Sequence, residues 1–250
     1  MRAAPHRSKA RRPEPRPHEQ LAIDLRPRTW GGSRAGAGRK PGRSSDAPHR
    51  KRAAVRRYDV QHVVLRTCKD VPRLRRGKTY QAIARALRRT LGEAAFRVCH
   101  TSIQRNHLHF LIEANDQAAL SHGMRSLAIT AARAINEALG RKGRVFAYRY
   151  HATAISSPRQ MRNALSYVLN NWRRHDEDES SEAAQRAALD PYSTALAFRG
   201  WREGVFAIPD GDARLAGYEP LPSAAPETWL LRVGWERHGP ISAYDVPGQL

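Results

Sequence analysis

The chain has 250 residues, 40% of them hydrophobic, and a formal net charge of +21. That length allows one medium domain with tails or two small domains, and it holds enough apolar residues for an ordinary core. No run of about 18 apolar residues occurs, so no membrane span is expected. Cys68 and Cys99 form neither a C-x-x-C pair nor a zinc set, which fits a reducing, intracellular compartment.

Residues 1–57 carry about +13 of the charge and are dominated by Arg, Pro, Gly and Ser, the composition of a disordered basic arm. This stretch is Arg-rich without an apolar core and is not expected to be a secretory signal. Within it, Gly36-Ala37-Gly38-Arg39-Lys40-Pro41-Gly42-Arg43 resembles an AT-hook type of minor-groove arm, with Arg39, Lys40 and Arg43 as DNA contacts. A solvated linker that touches phosphates without preference is the alternative.

Residues 58–175 hold about +15 and read as an ordered domain. A packed domain of that charge repels itself unless it meets a polyanion, and nucleic acid is the expected partner. Tyr58–Thr67 is rich in β-branched residues and predicts a strand. Tyr80, Ile83, Ala84, Leu87 and Leu91 recur at helical period, predicting a helix over Gly77–Glu93. Ala95–Ile103 and His107–Glu113 read as two further strands separated by a turn at Arg105-Asn106. Asn115-Asp116 caps a long helix, Gln117–Leu139, which Gly140 and Gly143 end. Val145–Ile155 reads as a fourth strand. Ser156-Ser157-Pro158 then opens a last helix running to Arg173, with Pro at its first position. The order βαββαβ predicts an α+β fold of ferredoxin-like type: an antiparallel sheet with both helices on one face, the other face being free for either a binding partner or the extra helix. Residues 176–250 are acidic, about −7, and Pro-rich. Residues 176–188 could continue the helix, and the scattered aromatics Trp201, Phe206, Trp229 and Trp235 suggest a wrapping extension.

Two motifs in the middle segment carry chemistry. In His107-Leu108-His109, strand alternation points both imidazoles to one face and Leu108, Phe110 and Ile112 to the core. Paired imidazoles suit Mn²⁺ or Zn²⁺, and also Mg²⁺ where a substrate phosphate completes the shell. Taken alone, the pair could equally be two histidines on a half-exposed strand. Glu113 shares their face, either as a metal carboxylate or as a solvated strand end. On the last helix Met161, Leu165, Val168 and Trp172 form an apolar stripe, while Tyr167, Asn171 and Arg174 share another face on successive turns. A phenol can attack phosphorus, an amide oxygen can complete a metal shell, and a guanidinium can grip a phosphate. A polar helix face with a half-buried Tyr is the plainer reading of the same pattern.

The run Asn106–Glu113 resembles the His-hydrophobic-His strand of the HUH nucleases. With Tyr167 about sixty residues later on a helix, and Asn171 one turn beyond, the arrangement is similar to the IS200-type single-tyrosine (Y1) transposases and their REP-associated relatives. Val145–His151 and Tyr167–Asn171 look like that family's strand and helix blocks. The resemblance implies that His107, His109 and Asn171 bind Mg²⁺ or Mn²⁺. It implies that Tyr167 attacks single-stranded or hairpin DNA to form a 5′-phosphotyrosine, with Arg174 and Arg149 among the DNA contacts. It also implies a cytoplasmic, nucleoid-associated protein, either a monomer or a homodimer that exchanges the tyrosine helix. One departure stands out: relatives often follow the helix amide with Pro, whereas Asn171 precedes Trp172-Arg173, so this helix can run on. Tyr148 and Tyr150 are rival nucleophiles, but a group that must shuttle suits a terminal helix better than a strand. His151 could face DNA or pack. A nucleic-acid binding protein without chemistry is the alternative to the enzyme.

Overall fold

Antiparallel pairing organises the molecule. The chain divides into two units at Ser44/Ser45. The structure, a computed structural model, describes residues 54–57, 59–180, 184–185, 187–204 and 219–248, all within the second unit. Residues 1–53 of the basic arm, with Arg39, Lys40 and Arg43, therefore lie outside the described residues, as do Tyr58 and Phe206.

Four strands, β1 (Val60–Arg66), β2 (Phe96–Ile103), β3 (His107–Ala114) and β4 (His151–Ile155), form one sheet in the order β2-β3-β1-β4. Every neighbouring pair is antiparallel. Helices α1 (Gly77–Arg88) and α2 (Gln117–Ala138) pack together and cover one face. This is the expected ferredoxin-like α+β arrangement. Asp116 caps α2 through its side chain, which accepts from Ala119 N at 2.7 Å. Gly123 is tolerated inside α2 because a Cβ there would run into the Phe96 ring. Alternation along the central strands sorts their side chains: Val63, Leu65, Leu108, Phe110 and Ile112 enter the core under α1 and α2. Each large apolar side chain buried there stabilises the fold by about 1.5–3 kcal/mol.

Helix α3 (Pro158–Arg174) covers the opposite face. Ser157 caps it by accepting from Gln160 N, and the predicted stripe of Met161, Leu165, Val168 and Trp172 is buried. With Trp172-Arg173 in place of Pro, the helix does run on, to Arg174. It stops there: Asp176 adopts φ 53°, a left-handed conformation that ends helices. The compatibility of residues 176–188 with further helix is therefore not realised over 177–180.

The fourth strand is shorter than Val145–Ile155. Thr67 bridges Phe146, whereas Val64 pairs with His151, so the register slips by two residues between those points. The extra residues are expelled as the loop carrying Tyr148 and Arg149, both exposed.

The C-terminal residues wrap α3 from outside. A short helix α4 (Trp229–Arg232) and the 3₁₀ turns Thr194–Ala197 and Gly234–His238 bring Phe198, Trp201, Leu231 and Trp235 onto it. The backbone of this wrap accepts from arginines of α3: Arg162 donates to Gly239 O and Pro240 O, Arg173 to Ala243 O, and Arg174 to Pro247 O. Arg75 clamps the start of the wrap with a two-pronged bond to Asp190 at 2.8 and 2.9 Å. Among the described residues, no helix is long and apolar enough to cross a membrane.

Candidate functional site

The odd residues of β3 and the even residues of β1 face α3. Register places Val64 opposite His109 and His62 opposite Leu111, so His62 and His109 are diagonal neighbours on that face. Their imidazoles are joined by a bond of 3.0 Å between His62 Nε2 and His109 Nδ1. The rings are 6° from parallel with centroids 5.2 Å apart. That separation is one hydrogen bond plus two ring radii, so the rings lie edge to edge in one plane rather than face to face.

Tyr167 projects from α3 onto this pair. Its ring stands edge-on to His109 at 5.4 Å and to His62 at 5.8 Å. His107 lies 4.6 Å from His109, and its Nδ1 bonds Asn106 Oδ1 at 2.8 Å. His175, the C-terminal cap of α3, closes the far side of His107 at 5.6 Å. One turn beyond Tyr167, Asn171 is fully buried, and both of its amide atoms lack a hydrogen-bond partner. His109 Nε2 is likewise buried and unpartnered.

Two cavities meet at Tyr167, Val64 and His109. One, of about 550 Å³, runs past His107, His175 and Glu177 to Arg66, Arg105 and Asn106. The other, of about 490 Å³, runs toward β4 past His62, His151, Gln160 and Arg174. The tyrosine therefore stands on a wall shared by two openings.

Burial disfavours charge throughout the cluster. It lowers His62 to about 4, with help from His151, and lowers His107 to about 4, with help from His175 and Arg66. His109 falls well below its ordinary value, through burial and then the charges of His107, His62 and His175. Burial also takes His100, on β2, to about 4. In the unfolded chain each would titrate near 6.5. Between pH 6.5 and 4 the unfolded chain thus binds more protons than the folded one, and stability falls as pH falls through that window. Metal-free protein should lose on the order of a few kcal/mol of stability between pH 7 and pH 5. Thermal melting across that range checks this, and an unchanged melting temperature would contradict the burial of these rings.

The expected site residues divide into groups. Tyr167, His107 and His109 are brought together, and Asn171 lies one helical turn away. Arg174 lines the second cavity but gives its Nη1 to Pro247 O at 3.0 Å. Arg149 is exposed on the loop before β4 and lines neither cavity. Tyr148, 47% exposed, and Tyr150, packed against the α1–α2 core, also line neither. His151 is exposed at the mouth of the second cavity rather than packed.

Glu113 corrects both sequence expectations for it, since it is neither a metal carboxylate nor a solvated strand end. Its carboxylate is 0% exposed and accepts from Arg97, from Glu227 N and from both N and Oγ1 of Thr228. His62 and His175 were missed. His62 shares the strand face of no motif in its own segment, and only the order of strands brings it beside β3. His175 falls on the line of Tyr167 and Asn171 at two successive four-residue steps, a signal the sequence does carry.

Residues 58–171 match the family described as "Transposase IS200 like". No curated protein matches the chain. Among solved structures, one described as the REP associates tyrosine transposase bound to a REP hairpin is 15% identical, with a TM-score of 0.46 over 59% of this chain and 82% of that one. A second, a candidate transposase from Deinococcus radiodurans R1, is 16% identical, with a TM-score of 0.34 over 40% and 81%. Over residues 58–171, which hold the whole sheet and most of α3, the chain is similar to the IS200-like transposase family.

Proposed function

We propose that this chain cleaves and rejoins single-stranded DNA, hairpin DNA included, through a covalent bond to Tyr167, and so moves DNA segments. The observation that carries this reading is the Tyr167 ring standing 5.4 Å from His109 on the wall shared by two cavities. In the step envisaged, Tyr167 Oη bonds to phosphorus and the P–O3′ bond breaks. The departing 3′ oxygen takes up a proton as the phenol gives its own away. One phosphodiester replaces another, so attack by a 3′-hydroxyl on the phosphotyrosine reverses the step and joins strands.

The donors here fit a divalent ion. His107 Nδ1 faces an amide oxygen and so carries the proton, leaving Nε2 free to ligate. His109 Nε2 and the Asn171 amide are buried without partners, which is costly in the metal-free chain. Among the described residues no group of three His, Cys, Asp or Glu could hold a metal, so substrate phosphate would complete the shell. Mg²⁺ or Mn²⁺ held there would polarise the scissile phosphate. Arg174, with one nitrogen already committed to Pro247, and Arg149 at the loop edge would meet flanking phosphates.

Labelled single-stranded hairpin DNA with Mn²⁺ tests the proposal on a denaturing gel: wild type forms an adduct and Tyr167→Phe does not. Metal-independent binding with no adduct would favour a binding protein without chemistry. Asn171→Leu gives a second check with opposite signs. Removing an unpaired buried amide should raise the melting temperature of metal-free protein, by about 1–3 kcal/mol of stability, while weakening Mn²⁺ binding. A loss of metal-free stability would mean that the amide has a partner in the folded chain.

A further inference from the structure

We infer that His62, outside the His-x-His motif, is a positioning residue that fixes the tautomer and aim of His109. The inference rests on the proposed metal site, and its evidence is the juxtaposition of three side chains. His62 Nε2 lies 3.0 Å from His109 Nδ1 in a shared ring plane, and the His62 ring also meets Tyr167 at 5.8 Å. His62 is buried, and it stands on β1, whose register with β3 holds the two rings as diagonal neighbours.

Two neutral imidazoles can share that bond in only two ways. If His62 donates, His109 must carry its own proton on Nε2. That N–H would be buried without an acceptor, which is costly. If His109 donates from Nδ1, its Nε2 keeps a bare lone pair. The second arrangement avoids a stranded donor and leaves the nitrogen ready to ligate. It also matches His107, whose Nδ1 proton is held by Asn106 Oδ1. The motif thus has one outer partner per histidine: an amide oxygen for His107 and an imidazole nitrogen for His109. Partners of this kind orient a metal-bound ring and raise its basicity. Because His62 also touches Tyr167, the same ring sets the spacing between ligand and nucleophile.

The test uses full-length protein without DNA and reads Mn²⁺ binding by the loss of the free-ion electron paramagnetic resonance signal. His62→Phe keeps a packed ring but offers no acceptor, and should weaken Mn²⁺ binding by roughly 10- to 100-fold. His62→Gln returns an acceptor oxygen and should regain most of that loss. His109→Ala should abolish binding. If His62→Phe binds as wild type does while His109→Ala fails, His62 merely packs and the inference is overturned. If His109→Ala also binds as wild type does, the metal-site reading itself falls. A readout needing no His62 variant is the nitrogen-15 spectrum of the metal-free protein, with His109 assigned from His109→Ala. The Nδ1–H tautomer is expected, and the Nε2–H tautomer would overturn the inference even if His62→Phe fails to fold.

Discussion

Tyr167→Phe should remove covalent attachment to DNA altogether, with strand cleavage falling by a factor on the order of 10⁴ or more, as loss of a nucleophile does elsewhere. The substitution deletes one oxygen from a half-buried ring that stands edge-on to two imidazoles, so packing against His62 and His109 survives. Melting temperature should therefore change little, and lost activity cannot be ascribed to unfolding. Tyr148→Phe and Tyr150→Phe are the controls, because neither tyrosine lines the cavities that meet at Tyr167. Both should keep the adduct. An adduct that persists in Tyr167→Phe and vanishes in Tyr148→Phe would move the chemistry to the exposed loop. Cleavage without any adduct in Tyr167→Phe would instead indicate attack by water.

Local pattern carried most of the architecture. Helix periodicity found α1, although it ends at Arg88 rather than Glu93, and caps placed α2 and α3 closely, because Asp116 and Ser157 do cap through their side chains. Strand alternation put His107 and His109 on one face and Leu108, Phe110 and Ile112 on the other, as a period of two requires. What escaped was non-local. His62 belongs with His109 only because β1 lies between β3 and β4. The start of β4 was misread because the two-residue slip between the pairings of Val64 and Thr67 leaves no mark in a run of aromatic and β-branched residues. Arginines on α3 counted as free positive charge, yet Arg162, Arg173 and Arg174 donate to C-terminal carbonyls, and backbone acceptors have no sequence signature.

These bonds also explain how Asn170 and Asn171 come to be buried on a helix whose pattern promised a polar face. The sheet covers one side of α3 and the C-terminal wrap covers another. Asn170 satisfies its amide nitrogen by donating to Ser242 O at 2.8 Å, although its Oδ1 has no partner. Asn171 has no such outlet. Neighbouring amides in near-identical burial thus differ in one respect, and the unpartnered one is on the tyrosine's line.

Glu113→Ala is expected to cost about 3–5 kcal/mol of stability, the range for breaking a buried ion pair from one side. The carboxylate is completely enclosed, and it joins three parts of the fold. Arg97 on β2 approaches it at 3.0 Å, Glu227 N and Thr228 N donate to it at 2.8 Å, and Thr228 Oγ1 donates at 2.6 Å. Removing it leaves the Arg97 guanidinium, only 13% exposed, with Glu227 and Ala94 O as its remaining partners, and leaves two backbone N–H groups at the entry to α4 without acceptors. The wrap over α3 should then loosen first. Hydrogen exchange would report this as faster exchange over 227–243 than over β1 and β3. Glu113→Gln keeps the shape and one acceptor oxygen, so it should fall between wild type and Ala in melting temperature. Mn²⁺ binding by Glu113→Gln should match wild type, because the carboxylate serves the wrap and not the histidines. Loss of Mn²⁺ binding in a Glu113→Gln protein that remains folded would return this residue to the metal site, and would mean that the wrap can release it when an ion arrives.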